Sequence, residues 1–128
     1  MVLFRSIVYL AFLSLTTIVI APILFAFKWV LPYQTLANLG KLWGRINLEA
    51  VGIICGLKYR LHGWDKLPND NCIVLSKHQS TWETIALRGL LPSTNTWVIK
   101  RELLWIPFFG WGMAALGPIA LDRKAGRQ

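Results

Sequence analysis

The sequence predicts an α/β chain, with an N-terminal membrane helix followed by a partial sheet and its flanking helices. Three observations predict it. A run of 22 residues from Ser6 to Phe27 carries no charge. A second stretch, Tyr33 to Leu57, repeats apolar residues at steps of three and four, the period of a helix. From Lys58 onward, short apolar or alternating runs take turns with stretches of helical pattern, as strands and helices of a layered sheet do.

At 1.5 Å of rise per residue the first run makes about 33 Å of helix, enough to cross a hydrocarbon core of roughly 30 Å. Residues 1–28 therefore read as a membrane anchor helix, with Pro22 placed to kink its end. A secretory signal fits less well. The run is long for such a segment, Arg5 alone precedes it, and no small-x-small site follows at Phe25-Ala26-Phe27-Lys28. Lys28, Lys41, Arg45, Lys58 and Arg60 all follow the run, so its C-terminal side is expected in the cytoplasm.

Residues 29–57 read as an amphipathic, interfacial helix. Leu36, Leu39, Leu42, Trp43, Ile46, Ala50, Val51, Ile54 and Leu57 recur at steps of three and four, while Lys41, Arg45 and Glu49 stand four apart on another face. Two readings stand side by side: packing against the rest of the chain, or lying in the membrane interface with Trp43 and the bases at headgroup level.

The part from residue 58 to residue 128 carries the expected sheet. Lys58-Tyr59-Arg60-Leu61-His62 alternates as a strand, and His62 is read as structural. Pro68-Asn69-Asp70-Asn71 makes a turn. Cys72-Ile73-Val74-Leu75-Ser76 reads as a short buried strand. Ser80 and Glu83 have the Ser-x-x-Glu spacing of a capping box and open a helix from about Thr81 to Leu90, which Pro92 stops. Thr96–Ile99 is a further strand. Pro107 can occupy the first turn of a helix that runs to Leu116 and ends at Gly117, and Pro118–Asp122 is the last strand. Apolar side chains surround the helix at Pro107 almost completely. It reads either as a buried core helix or as a wall facing the bilayer or an acyl tail, with Trp105, Phe108, Phe109 and Trp111 as candidate acyl or membrane contacts.

Composition narrows the partners. The 128 residues leave room for one domain at most, and 55% hydrophobic residues with seven Trp is rich for a soluble domain. A net charge of +8 and a pI near 10.0 point to anionic partners. No nucleic-acid motif is present, so phosphate-bearing lipid fits better than nucleic acid. Cys55 and Cys72 form no Cys-x-x-Cys and no metal cluster, and are expected as two buried free thiols. No Gly-x-Ser-x-Gly elbow occurs, which leaves Ser80 as a helix cap rather than a nucleophile.

His78 and Glu83 are the candidate chemistry. An imidazole can take a proton from an alcohol, and a carboxylate beside it can hold the tautomer and stabilise the imidazolium. A spacing of five puts two residues about 140° apart on a regular helix. The pair can meet only if His78 precedes the helix and the chain turns between them. Spacing alone leaves open the plainer reading of a cap and a structural histidine.

The run Ser76-Lys77-His78-Gln79-Ser80-Thr81-Trp82-Glu83 resembles the first motif of the glycerolipid acyltransferases, a His followed after four residues by an acidic residue. Most of that family carries Asp where this chain has Glu83. Lys100-Arg101-Glu102-Leu103-Leu104-Trp105-Ile106-Pro107-Phe108-Phe109-Gly110 is similar to the family's approach to its second motif, and Gly117-Pro118-Ile119-Ala120-Leu121-Asp122-Arg123 to that motif itself. Within the family the chain resembles most the bacterial branch that acylates 1-acyl-glycerol 3-phosphate to phosphatidic acid. The resemblance implies catalytic His78 and Glu83, and Arg123 on the substrate phosphate, a role suited to a bidentate guanidinium. It implies acyl-CoA or acyl carrier protein as co-substrate, no metal or bound cofactor, a lysophospholipid acceptor, and the bacterial inner membrane with the catalytic part facing the cytoplasm. The family's third motif, a Glu-Gly-Thr-Arg type run, does not occur here. Residues 58–128 are thus expected to be the N-terminal part of an acyltransferase domain, and this chain alone to be inactive. The alternatives are another lysophospholipid acceptor, or a non-catalytic basic single-pass membrane protein.

Overall fold

The computed structural model describes residues 1–122. Helix α1 runs from Val2 to Phe27 with Pro22 inside it. Its mean hydropathy over the most apolar window is 2.4, and among the described residues it is the one helix long and apolar enough to cross a membrane. Helix α2, Tyr33–Cys55, follows after a short turn in which the N–H groups of Val30 and Leu31 donate to the Phe27 carbonyl. It ends at Gly56, whose φ of +72° lets its N–H reach back to the Gly52 carbonyl at 2.9 Å.

The two helices lie antiparallel. Leu24 packs with Leu36 near the turn, and Cys55 Sγ meets the Arg5 carbonyl at 3.7 Å at the far end. Between them Asn47, fully buried, donates to Thr16 Oγ1 at 3.1 Å and to the Trp43 carbonyl at 2.9 Å. The expected helical period of α2 is present, but its buried stripe differs from the large apolar residues. Leu36, Ala37, Gly40, Gly44, Asn47, Leu48 and Val51 face inward, while Leu42 and Ile46 are exposed.

The small residues are explained by α3, Thr81–Leu90, which packs on α2. A Cβ on Gly44 would stand 2.6 Å from the Gly89 nitrogen, and one on Gly89 would stand 2.8 Å from the Arg45 nitrogen. Backbone meets backbone only because both are glycine. Arg88, in the last turn of α3, is 5% exposed. Its guanidinium donates to the Ala37 carbonyl at 3.2 Å and to Asn95 Oδ1 at 2.9 Å, tying α3 to α2 and to the loop before β1. Burial pushes its pKa down from the ordinary arginine value.

Strands β1, Val98–Lys100, and β2, Ile119–Leu121, pair in parallel, with Val98 opposite Ile119 and Lys100 opposite Leu121. The connection contains a 3-10 turn, Arg101–Trp105, and helix α4, Phe109–Ala115. Pro107 stands before α4 rather than in its first turn. Phe108 adopts φ +63° and ψ −63°, and the Phe109 N–H donates to the Pro107 carbonyl at 2.8 Å, a γ-turn of the rarer hand that resets the chain direction before the helix. α4 packs on α1, with Gly112 against Ala21, and Leu24, Leu36, Ala115 and Leu116 form the core where α1, α2 and α4 converge.

The described chain is mostly helical with a small two-stranded parallel sheet. Two expected strands are absent. Residues 58–62 run irregularly and exposed, and Cys72–Ser76 is neither paired nor buried, with Ile73 90% and Leu75 93% exposed. The reason is pairing. Apolar β-forming residues make a strand only beside a neighbour whose backbone completes the ladder, and no described segment lies beside either run in that way. Cys72 is accordingly exposed and Cys55 half-buried, so neither thiol is the buried one expected.

Candidate active site

The capping box expected at Ser80 is formed and builds the site. Ser80, in extended conformation, is the N-cap of α3 and accepts from the Trp82 N–H at 3.3 Å. The Glu83 side chain turns back over the helix start. Its Oε1 accepts from the Ser80 N–H at 2.6 Å and from the Gln79 N–H, and its Oε2 accepts from the Ser80 hydroxyl. The same Oε1 lies 3.2 Å from His78 Nδ1. The chain turns at Gln79 and Ser80, as the spacing of five requires, and the imidazole precedes the helix.

These donors act on one carboxylate. The Ser80 hydroxyl and backbone N–H, then that of Gln79, hold the pKa of Glu83 down to about 2 against its ordinary 4.5. Glu83 is therefore ionised across the working range. An anion facing Nδ1 favours the tautomer with its proton on that nitrogen, which leaves Nε2 as the free base. The His78 side chain is 75% exposed, so Nε2 is open to a substrate.

Two neighbours carried no motif signal. Trp82 meets Tyr59 with tilted rings whose centroids are 5.7 Å apart, joining the irregular segment after α2 to the start of α3. Its buried Nε1 has no hydrogen-bond partner among the described residues. Arg88 was also missed. An arginine on the buried side of a short helix, next to Ile85, Ala86 and Gly89, is the signal that could have found it.

The other expected residues divide. Arg123 lies outside the described residues. Asp122 before it meets Arg101, Nη1 to Oδ2, at 3.8 Å, where both parallel strands end. Of the four aromatic candidates, Phe109 turns inward and, with Ile20, Leu24, Trp43 and Met113, lines an apolar cavity of about 60 Å³ between α1, α2 and α4. Trp105 and Trp111 are exposed, and Phe108 is half-buried against Trp111. Neither His78 nor Glu83 lines that cavity. Among the described residues no group of three or more His, Cys, Asp or Glu side chains stands close enough to hold a metal ion.

Comparison with known proteins follows the same residues. Residues 58–128 match the family model described as Acyltransferase. The chain is 37% identical over 121 residues to a 1-acyl-sn-glycerol-3-phosphate acyltransferase of Pseudomonas aeruginosa, covering 94% of this chain and 47% of that protein. It is 31% identical over 80 residues to the protein of the same description in Saccharomyces cerevisiae, covering 62% and 26%. It is 30% identical over 81 residues to a human 1-acyl-sn-glycerol-3-phosphate acyltransferase alpha, covering 62% and 29%. The chain thus spans half or less of the length of these relatives. No solved structure gives a significant match.

Proposed function

The chain belongs to the acyltransferase family, and we propose that it serves the transfer of an acyl group to the free hydroxyl of 1-acyl-glycerol 3-phosphate, forming phosphatidic acid. One observation carries the mechanism: His78 Nδ1 stands 3.2 Å from a Glu83 carboxylate whose donors keep it ionised. In this reading His78 Nε2 removes the proton from the acceptor hydroxyl. The oxygen attacks the thioester carbonyl of the acyl donor, acyl-CoA or acyl carrier protein. The carbon–sulfur bond breaks, and the imidazolium returns its proton to the leaving thiolate. Glu83 holds the ring and stabilises the imidazolium through the Nδ1 hydrogen bond. Each proton taken up is given back, so the chemistry calls for no further cofactor.

Arg123 is proposed to bind the acceptor phosphate. The support is its place in the second motif, one residue after Asp122 and beyond the end of β2. The membrane reading rests on α1. Its outward face is apolar along its length, with Leu3, Ile7, Leu10, Leu15, Val19 and Ile23 exposed. The basic residues that follow α1 favour a site facing the cytoplasm, and the extent of the match to the Pseudomonas protein favours a bacterial inner membrane.

The test is a radiolabelled acyl-donor assay on membranes of a host whose own enzyme is conditionally inactivated, with these 128 residues carried in a domain that also holds the family's third motif. His78→Ala is expected to lower kcat by roughly 10²–10⁴-fold, the usual share of a general base. Arg123→Ala is expected to act mainly on KM for the lysophospholipid, by roughly 10- to 150-fold, from a charge-assisted bond of about 1.5–3 kcal/mol. Normal turnover by a folded His78→Ala variant would remove the imidazole from the mechanism.

A further inference from the structure

The last turn of α1 and the start of α4 share one aromatic cluster. Phe25 meets Trp29 edge to face at 5.5 Å and Trp111 at 6.2 Å, and Trp111 meets Phe108 at 5.1 Å. The Lys28 ammonium sits 4.5 Å from the Phe25 ring centre and 4.3 Å from that of Trp29. The cluster is not core. Trp29 is 71% exposed, and Trp105 and Ile106, in the connection to α4, are 79% and 45% exposed. The γ-turn at Phe108 sorts the run, with Phe109 lining the apolar cavity while Trp105, Ile106 and Trp111 are exposed.

We propose that this corner is a docking surface for the headgroup layer of an anionic bilayer, distinct from the hydrocarbon contact of the α1 face. The inference rests on the membrane reading of α1 and extends it to the part of the chain that carries the second motif. Three arguments select lipid. An exposed apolar path, Val19, Ile23, Phe27 and Trp29, leads from α1 to the corner, so that a bilayer that takes one reaches the other. An indole and a phenyl ring with a cation above them suit the level where apolar and wet regions meet, and Lys28 complements anionic headgroups. The depth also fits. Gly112 of α4 touches Ala21, six residues before the end of α1 and so about 9 Å of helix from it, which matches an interfacial layer of roughly 5–10 Å.

The experiment places an environment-sensitive fluorophore on Ile106→Cys, and separately on Leu10→Cys, in a chain carrying Cys55→Ser and Cys72→Ser. Each is reconstituted in phosphatidylcholine–phosphatidylglycerol vesicles with nitroxides on the headgroup or deep in the acyl chain. The Ile106 probe should shift to the blue and lose intensity chiefly to headgroup nitroxide. The Leu10 probe should be quenched by acyl-chain nitroxide. An Ile106 probe left unquenched while Leu10 is quenched would overturn the docking surface alone, and a blue shift without quenching there would assign the corner to a protein partner instead. Stronger quenching of Ile106 by the deep label would refute headgroup placement. An unquenched Leu10 probe would take the membrane reading itself down.

Discussion

At the scale of the residue, Glu83 does two jobs with one carboxylate. It caps α3 through Gln79 and Ser80, and it faces His78 Nδ1 with the same oxygen. The Glu83 side chain reaches both. This gives an acid-stability signature with a definite sign. The folded turn lowers the pKa from 4.5 to about 2, so the ionised form is the one that folding favours. Its contribution is complete above about pH 4.5 and is lost as pH falls through about 2. Glu83→Gln should therefore unfold more readily than the parent at pH 6, with a gap that narrows between pH 4.5 and 2, followed by circular dichroism in detergent. A gap of constant size over that range would show that the charge is not what stabilises the turn. The sequence made this site legible because both parts are local: a capping box and a histidine that must precede it. Arg88 and the Tyr59–Trp82 contact were not legible, because each depends on which distant segment comes to lie beside it.

At the scale of the element, the α2–α3 contact decides how the site is held, since α3 carries it and Gly44 and Gly89 let the two backbones touch. Gly44→Ala sets two effects against each other. Alanine favours the helix by about 0.8–1.0 kcal/mol. A Cβ at 2.6 Å from the Gly89 nitrogen, with backbone rather than a flexible tip in the way, forces the helices apart at a cost of typically 1–3 kcal/mol. Overpacking should win, and the variant should melt lower than the parent, whereas Gly52→Ala, whose nearest neighbour is the Leu57 carbonyl at 3.5 Å, should not. Equal melting temperatures for the two variants would contradict the close crossing. The extents of α1, α2 and α3 were legible for different local reasons: an uncharged apolar run in α1, a helical period in α2, and a capping box with a proline stop in α3. The buried stripe of α2 was not, since Gly40, Gly44 and Asn47 share it with Leu36, Leu48 and Val51, and only the helices packed against it explain them. Cys72–Ser76 misled for the opposite reason. Its composition suits a strand, but a ladder depends on a second segment that no local pattern encodes.

At the scale of the whole molecule, two forces could bring this chain to a membrane, and they make opposite predictions. One is its net charge of +8, attracted to anionic lipid. The other is the outward face of α1, where Leu10, Leu15, Ile18, Val19 and Ile23 each leave 41–61% of their surface exposed. Full burial of such a side chain contributes about 1.5–3 kcal/mol, so half of that over five residues amounts to roughly 4–7 kcal/mol. Attraction to surface charge is screened within about 3 Å in 1 M salt and should vanish there, whereas apolar burial persists. The chain is therefore expected to float with vesicles in 1 M salt. The decisive variant is Leu15→Lys with Ile18→Lys. It raises the net charge by two and so strengthens any electrostatic binding, yet it sets two ammonium groups on the apolar face, each costing about 2.5–3.5 kcal/mol at the centre of a membrane helix. Both positions point away from α2 and α4, so the fold is spared. Loss of flotation by this more basic chain is the expected result. Flotation at least equal to the parent's in low salt, with release of both in 1 M salt, would mean that charge alone holds the molecule to lipid and that α1 serves the fold rather than the bilayer.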